Sequence, residues 1–277
     1  MSESVPETPG ASAPARKVVK PTVVATAQPL RVRRAVARLQ SRDGVQVPAL
    51  SSFEHRPIAQ LNDALMRLAN AQRRALAGLK GQLLAHSAGK ARKSLLVTSG
   101  LNGEGKTTAA VTMAAGLARS CQGPVFLLDA NLQHPNLHEL FNVDAEPGLT
   151  DVLLGTADLS EVVYRTTINN LFVVPAGTTD GDAQHILETP RFREALRDIA
   201  RQGDYVIIDG ASMLSAPDTV LMVPGVDGVI QVVECERTRR DVPDEVRERV
   251  ESVDGTFLGA VLNKRRFYLP RLFYGRL

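Results

Sequence analysis

One short glycine-rich stretch constrains the fold of this 277-residue chain more than any other part of it. The stretch runs from Gly100 to Thr107 and fits the spacing G-x-x-x-x-G-K-[ST]. The apolar run Ser94 to Thr98 precedes it and predicts a buried strand, while the run Ala109 to Arg119 follows it and predicts a helix packed on a sheet. A turn between such elements directs backbone N–H groups and the positive end of the helix dipole to one point. The stretch therefore predicts a phosphate-binding loop; the alternative is a glycine-rich turn that binds nothing.

The residue types within this loop suit a nucleoside triphosphate. Gly103 and Gly105 lack the Cβ atoms that would keep the backbone from wrapping an anion. Lys106 can reach the β- and γ-phosphates, and the Thr107 hydroxyl can ligate Mg²⁺. The predicted cofactors are ATP and Mg²⁺, and the predicted nucleotide-binding residues of the loop are Gly100, Asn102, Gly103, Glu104, Gly105, Lys106, Thr107 and Thr108.

Beyond the loop, apolar runs alternate with helical patterns. One helical pattern begins at Thr189-Pro190, and another runs from Asp241 to Val253. Continuous apolar strands joined by helical crossovers predict an α/β fold, a mostly parallel central sheet with helices on both faces. In such folds, ligands bind at the carboxyl ends of the strands. The predicted strands are Leu95–Thr98, Val125–Asp129, Leu171–Pro175, Tyr205–Asp209, Gly228–Val233 and Phe257–Asn263.

Two of these strands finish on an aspartate. Asp129 and Asp209 each follow four apolar residues, so both carboxylates are expected at the sheet edge that carries the phosphate loop. We predict that Asp209 is the Walker B residue that holds Mg²⁺ beside Thr107. Asp129 is predicted to orient the attacking hydroxyl or water or accept its proton, and to contribute to the metal site. The alternative for each is an aspartate that caps a helix or closes a turn.

The first 55 residues differ in composition from the rest. They carry eight basic and four acidic side chains and are rich in proline and alanine, without a sustained helical or strand period. We interpret residues 1–55 as a mobile basic arm. Arg31 to Arg42 could form a short basic helix on anionic lipid or an acidic protein, and a solvated linker is the alternative.

Residues 56–90 form a helical segment in this interpretation. From Pro57, apolar spacings of three and four predict a helix with a seam of about three heptads. Docking on the nucleotide domain is favoured, and self-association or a partner helix is the alternative. The seam residues are Ile58, Leu61, Leu65, Leu68, Gln72, Ala75 and Leu79.

Cysteine usage and hydropathy bear on the compartment. Cys121 and Cys235 do not make a disulfide framework or a metal-ligand cluster, so a reducing cytoplasm is predicted. No run of about 18 apolar residues exists, and the N-terminus lacks the apolar core of a signal peptide. Any membrane contact is therefore expected to be peripheral or through a partner.

Residues 92–266 resemble the bacterial tyrosine kinases (BY-kinases) of polysaccharide export, P-loop proteins related to the MinD/ParA group. By this resemblance, residues 91–266 form an ATP-binding kinase domain, Asn263 contacts adenine, and a transmembrane chain-length-determinant protein is the partner. The motifs that carry it are the loop Gly103–Thr108, Leu127–Asn131 with Pro135 and His138, Pro147–Leu153, Val174–Gly177, Asp204–Asp209 and Val261–Lys264.

Several positions depart from the patterns of the two related groups. Leu101 stands where partition ATPases usually carry a signature lysine, which puts the MinD/ParA interpretation second. Asn131 replaces an acidic residue of the kinase motif, and the lost negative charge near Mg²⁺ would weaken metal binding or proton acceptance. Gln133 replaces a basic residue of the same motif. Where the family carries the glutamate and arginines that assemble a ring, this chain has Gln60, Asp63, Met66 and Arg67.

The last segment, residues 267–277, is aromatic and basic. Its tyrosines, Tyr268 and Tyr274, are candidate phosphate acceptors; as alternatives, they could anchor the tail at a membrane interface or a partner groove. The function predicted is an ATP- and Mg²⁺-dependent tyrosine kinase of exopolysaccharide assembly, acting on its own tail in trans within a homo-oligomer. The alternative is an ATPase switch or degenerate kinase without tyrosine transfer. No base-reading motif supports nucleic-acid binding.

Overall fold

The computed structural model describes residues 57–72, 93–177 and 190–265. The predicted basic arm, the part of the heptad seam beyond Gln72 and the tyrosine-bearing tail lie outside these ranges. The division of the chain into four segments therefore stays a prediction.

A single sheet of seven strands forms the centre of the molecule, in the order β3-β4-β2-β5-β1-β6-β7. All neighbouring pairs are parallel except β3 and β4. The six predicted strands are confirmed, and the short antiparallel β3 is the one that the sequence patterns did not predict. The strands are β1 (Lys93–Ser99), β2 (Val125–Asp129), β3 (Tyr164–Arg165), β4 (Leu171–Val174), β5 (Tyr205–Ser212), β6 (Gly228–Glu234) and β7 (Phe257–Asn263).

Helices cover both faces of this sheet, which confirms the predicted fold class. Side chains alternate between the faces: Leu95 and Val97 belong to one buried cluster, and Leu96 between them belongs to the other. The first cluster includes α1 and α2, and the second includes α6 and α8. The helices are α1 (Asp63–Ala71), α2 (Lys106–Ala118), α3 (Leu137–Phe141), α4 (Leu149–Leu154), α5 (Leu159–Val162), α6 (Pro190–Gln202), α7 (Thr219–Met222) and α8 (Asp241–Ser252), with a 3₁₀ turn at Val223–Gly225.

The first helix begins later than the heptad pattern predicted. Ala59 pairs with Thr166 beside β3, and the Asn62 side chain caps α1 by accepting from the N–H of Ala64 at 2.8 Å. Ile58 and Leu61 therefore precede the helix, and Ile58 is 63% exposed. Within the described residues, α1 packs against α2.

The described helices are short. The longest of them, α2 and α6, have 13 residues each. Within the described ranges, no helix combines the length and the apolar character needed to cross a membrane.

Candidate functional site

The glycine-rich loop lies at the carboxyl edge of the sheet, between the end of β1 and the first residue of α2. Gly103 and Gly105 have φ angles of 82° and 93°, in the left-handed region that favours glycine. Gly105 is the N-cap of α2, and a Cβ atom on it would lie 2.2 Å from Nδ2 of Asn263. Both glycines are required for the loop to close over the start of the helix, where backbone N–H groups can bind an anion.

Asn263, at the end of β7, supports the loop from outside. Its side-chain Nδ2 donates to the carbonyl oxygen of Glu104 at 2.9 Å. The amide is therefore placed at the loop, and its contact with adenine stays a prediction.

Lys106 is the first residue of α2 and is only 7% exposed. Burial lowers the pKa of its ammonium group, and the nearby carboxylates of Asp209 and Glu104 oppose this change. The structure thus places the buried ammonium group of Lys106 at the end of the loop, near the carboxylate of Asp209 on β5.

Asp209 and Asp129 are paired in register on the neighbouring strands β5 and β2, and both are fully buried. Burial, followed by the repulsion from Asp129, raises the pKa of Asp209 to about 8, against the opposing effects of Thr107 and Lys106. Neither carboxylate oxygen of Asp209 accepts a hydrogen bond of good geometry within the described residues. Two buried oxygen atoms without such bonds are unfavourable unless a ligand or ion completes the site.

Asp129 has different surroundings from Asp209. Its oxygens accept hydrogen bonds from the backbone N–H groups of Asn131 at 3.2 Å, Asn136 at 2.8 Å and Leu137 at 2.9 Å. The carboxylate thereby closes the turn after β2 and satisfies N–H groups at the start of α3, as the alternative in the sequence analysis anticipated. Burial nevertheless raises the pKa of Asp129, with the bonds from Leu137 and Asn136 opposing the rise.

Comparison with known proteins identifies the protein family of the chain that carries this loop and the two aspartates. A family model described as an AAA domain matches residues 95–253, more than half of the chain. Tyrosine-protein kinase CpsD of Streptococcus agalactiae is 30% identical over 177 residues, which are 64% of this chain and 77% of the relative. The chain belongs to the bacterial tyrosine kinase family. It is therefore an enzyme of the transferase class.

Solved structures agree with this family assignment. The kinase domain of the Escherichia coli tyrosine kinase ETK superimposes with a TM-score of 0.66 at 25% identity, covering 72% of this chain and 78% of that one. The septum site-determining protein MinD of Pyrococcus horikoshii, complexed with Mg-ADP, has a TM-score of 0.54 at 22% identity, covering 65% and 75% of the two chains. The likeness to MinD shows the shared fold alone.

Asn131, which departs from the motif of the bacterial tyrosine kinases, has a structural role in the turn after β2. Its side-chain Nδ2 donates to the carbonyl oxygen of His134 at 2.9 Å, and the N–H of His134 donates back to the Asn131 carbonyl at 3.0 Å. A carboxylate at position 131 could not make the first bond, because it has no donor when ionised. Gln133 is exposed in the same turn.

The other side of the loop rests on an extension of β5 beyond Asp209. The Ser212 hydroxyl donates to Oδ1 of Asn102, and the N–H of Met213 donates to the carbonyl oxygen of Ser99 at 2.8 Å. Thr98 adds a hydrogen bond from its hydroxyl to the carbonyl oxygen of Ala211 at 2.7 Å. Protein contacts from both β5 and β7 therefore hold the loop in place.

The side chain of Glu104 lies inside the protein. It is 1% exposed, and its carboxylate accepts hydrogen bonds from the N–H groups of Leu101 and Glu234 and from the Thr238 hydroxyl. The contact of Glu104 with a nucleotide stays a prediction.

Four further residues at this site were not singled out from the sequence for such a role. They are Glu234, which ends β6, Arg237 and Thr238, which follow β6, and Lys264, which follows β7. No spacing in the sequence relates them to the loop, because their contacts with it bridge 130 or more positions. The candidate acceptors Tyr268 and Tyr274 lie outside the described residues.

Proposed function

We propose that this protein is an ATP- and Mg²⁺-dependent protein-tyrosine kinase that regulates exopolysaccharide polymerisation or export. The observation that carries the proposal is the meeting of Lys106, Asp129 and Asp209 at the mouth of a glycine loop. Membership in the bacterial tyrosine kinase family supports the reaction class, and the resemblance described above supports the polysaccharide role.

In this proposal, the loop amides and Lys106 bind the β- and γ-phosphates. Their positive charge would stabilise the charge that develops on the transferring phosphoryl group. Lys106 is buried close to the carboxylates of Asp209 and Glu104, so the protein itself fixes the position of its ammonium group. Its removal should therefore lower phosphate affinity as well as the rate.

Thr107 and Asp209 are the residues proposed to hold Mg²⁺. A hydroxyl and a carboxylate are oxygen donors of the kind that Mg²⁺ prefers. The two oxygens of Asp209 fit this role, because neither accepts a hydrogen bond of good geometry within the described residues and the Thr107 hydroxyl lies close to them. A bound cation would compensate their burial and lower the pKa of the group. When bound, Mg²⁺ would neutralise charge on the β- and γ-phosphates.

Asp129 is proposed to orient the tyrosine hydroxyl and to accept its proton. A carboxylate offers about four acceptor positions, and three backbone N–H groups use the oxygens of Asp129. Room for one more hydrogen bond therefore remains. Its raised pKa suits a proton acceptor better than that of an ordinary exposed aspartate.

The acceptor and the partners are proposed from the family resemblance. Tyr268 or Tyr274 of one copy would receive the phosphoryl group from another copy within a homo-oligomer. A transmembrane chain-length-determinant protein would hold the complex at the membrane surface, with this chain on the cytoplasmic side. In the alternative role, the two tyrosines anchor the tail at a membrane interface or in a partner groove.

Incubation of the full chain with γ-labelled ATP and Mg²⁺ tests this proposal. We expect protein-bound label on the wild type, none on Lys106→Ala, and a large loss on the Tyr268→Phe, Tyr274→Phe double variant. Arg247→Ala, which removes an exposed ion pair on α8, is the control and should label as the wild type does. Label recovered only as free phosphate from the wild type would contradict the kinase proposal.

The second candidate function is an ATPase switch that changes partner affinity without transferring phosphate to tyrosine. The hydrogen bonds that tie Asp129 to the turn after β2, together with Asn131 in that turn, favour it. It predicts release of free phosphate that depends on Lys106, with no labelled tyrosine.

A further inference from the structure

The buried carboxylate of Glu104 connects the phosphate loop to the end of β6 and to the segment that follows it. Oε2 of Glu104 accepts from the N–H of Leu101 at 2.8 Å, within the loop itself. Oε1 accepts from the N–H of Glu234 at 3.2 Å and from the hydroxyl of Thr238. We call these three residues, Glu104, Glu234 and Thr238, the loop clamp.

The loop clamp brackets an arginine that faces the phosphate loop. Arg237 lies between the two clamp contacts in sequence, and a Cβ atom on Gly103 would lie 3.7 Å from its Nη1. Apart from the glycine and its chain neighbours, no other atom of the described residues lies within 4 Å of that point. The guanidinium is 64% exposed and forms an ion pair with Glu234 at 3.1 Å. A guanidinium has several N–H donors, so this pair leaves donors for a second partner.

Lys264 approaches the same point from β7 but is already committed. Its ammonium group donates to the carbonyl oxygen of Gly103 at 2.6 Å and pairs with the Glu234 carboxylate at 3.1 Å. The Glu234 carboxylate therefore pairs with both Arg237 and Lys264, and both cations lie close to Gly103. Lys264 has one N–H donor left after these two contacts, whereas Arg237 keeps several and its side chain is the more exposed of the two, so Arg237 is better placed to bind a ligand.

The backbone beside both cations adopts a conformation that is uncommon for residues other than glycine. Glu236, which precedes Arg237, has φ of 67°, and Lys264 has φ of 54°. Such left-handed residues cost free energy and cluster at ligand sites, where the surrounding structure holds them in place. Here the loop clamp and the Gly103 carbonyl provide that support.

We propose that Arg237 binds the phosphate chain of the nucleotide from the outer side of the loop, and that Glu104 is a positioning residue that holds Arg237 there through Thr238. This inference rests on the proposed nucleotide-binding function. A nucleoside triphosphate is strongly anionic, and a planar guanidinium recognises phosphate oxygens with paired hydrogen bonds. Glu104 acts at a distance, because its own carboxylate is buried and its hydrogen bonds run to Leu101, Glu234 and Thr238.

The first test measures affinity of the full chain for a fluorescent ATP analogue with Mg²⁺. Arg237→Ala should weaken binding about tenfold, as expected for a charge-assisted contact, and Arg237→Lys should recover part of it. Arg239→Ala is the matched control, since Arg239 belongs to the same segment, is 82% exposed and pairs only with Asp241 among the described residues. Binding by Arg237→Ala that equals that of the Arg239→Ala control would overturn the proposal.

The second test asks whether the clamp acts through Arg237. Thr238→Val removes the hydroxyl at constant shape and should weaken the analogue about fivefold, while Thr238→Ser should restore binding. In an Arg237→Ala background, Thr238→Val should change affinity by less than about twofold, because coupled residues are not additive. Glu104→Gln should follow the same pattern. If Thr238→Val and Glu104→Gln lower analogue affinity equally in the wild-type and Arg237→Ala backgrounds, Thr238 and Glu104 have a purely structural role and the positioning role of Glu104 is rejected.

These measurements separate the inference from the proposed function. Lys106→Ala should weaken analogue binding in every background, whatever Arg237 does. If Lys106→Ala weakens binding and the coupling between Thr238 and Arg237 is absent, only the clamp proposal fails. If the coupling is present and no tyrosine is labelled, the nucleotide role of Arg237 stands and the kinase proposal fails.

Discussion

Asp129 and Asp209 are register partners on neighbouring parallel strands, and both carboxyl groups are completely buried at the carboxyl edge of the sheet. Three backbone N–H groups satisfy Asp129, whereas the oxygens of Asp209 lack hydrogen bonds of good geometry within the described residues. The two acids therefore have different surroundings despite their equivalent positions on the strands. Asp129 closes its own turn, whereas Asp209 fits the Mg²⁺ site proposed above.

Asp209 should make the ligand-free protein less stable as the pH rises. An unfolded aspartate has a pKa of about 4, and that of folded Asp209 is about 8, so the native state binds the extra proton between these values. Stability is then highest near the lower pKa and is lost as the pH rises through about 8. Urea unfolding between pH 5 and 8.5, without nucleotide or Mg²⁺, should show this decline.

Asp209→Asn should remove most of that decline. The variant should be more stable than the wild type by about 2 kcal/mol at the upper end of the range, because no buried charge develops. It should also lose phosphoryl transfer, since an amide cannot replace the anionic ligand proposed for Mg²⁺. An unchanged pH slope in Asp209→Asn would show that other groups cause the decline.

Two substitutions of Asp129 should separate its structural role from its chemical one. Asp129→Ala leaves three backbone N–H groups without their acceptor and should lower the free energy of unfolding by about 2–4 kcal/mol. Asp129→Asn keeps one oxygen as an acceptor and should lose about half as much stability, yet should also lose tyrosine transfer. Chemical denaturation and labelling assays measure the two effects. If Asp129→Asn transfers phosphate at the wild-type rate, Asp129 is a turn residue only.

Asn131→Asp would restore the acidic residue that the kinase motif normally has. It would also delete the hydrogen bond from Nδ2 to the His134 carbonyl and add a charge near Asp129. We expect a loss of about 1–3 kcal/mol in the free energy of unfolding, larger at high pH, where the added carboxylate is ionised. Gln133→Glu, an exposed change in the same turn, should leave stability nearly unchanged. Equal effects of the two substitutions would argue against the structural role of Asn131.

Gly105→Ala should distort the loop against Asn263. The added Cβ would lie 2.2 Å from Nδ2 of Asn263, and φ at this position is 93°. We expect a loss of about 2 kcal/mol or more in thermal or urea unfolding, together with weaker nucleotide binding. Gly259 also has positive φ, but an added Cβ there would meet no atom of the described residues within 4 Å beyond its chain neighbours, so Gly259→Ala isolates the backbone contribution. Asn263→Ala should recover part of the Gly105→Ala loss, and no recovery would show that the clash is not its source.

Much of the fold was predictable because both faces of a parallel sheet are buried. Strands such as Val125–Asp129 then appear as continuous apolar runs, and amphipathic crossovers such as α6 place Phe192, Leu196 and Ile199 inside. The start of α1 was not predictable in this way. Ala59 pairs beside β3 and Asn62 caps the helix, so α1 begins at Asp63 rather than near Pro57. Neither contact produces a periodic pattern in the sequence.

The sequence by itself determined the phosphate-binding loop, the class of the sheet and the two strand-end aspartates, because these depend on neighbours along the chain. Only the tertiary structure decided how the aspartates differ, why Asn131 suits its turn, and that Glu104 joins the loop to Thr238 across 134 positions. The Asn131 bond joins positions only three apart, but it depends on the backbone geometry of the turn after β2. Burial distinguishes the two aspartates, and the order of the strands in the sheet brings Thr238 to Glu104. Local spacing does not encode these last two relationships, because they arise only when the sheet is assembled.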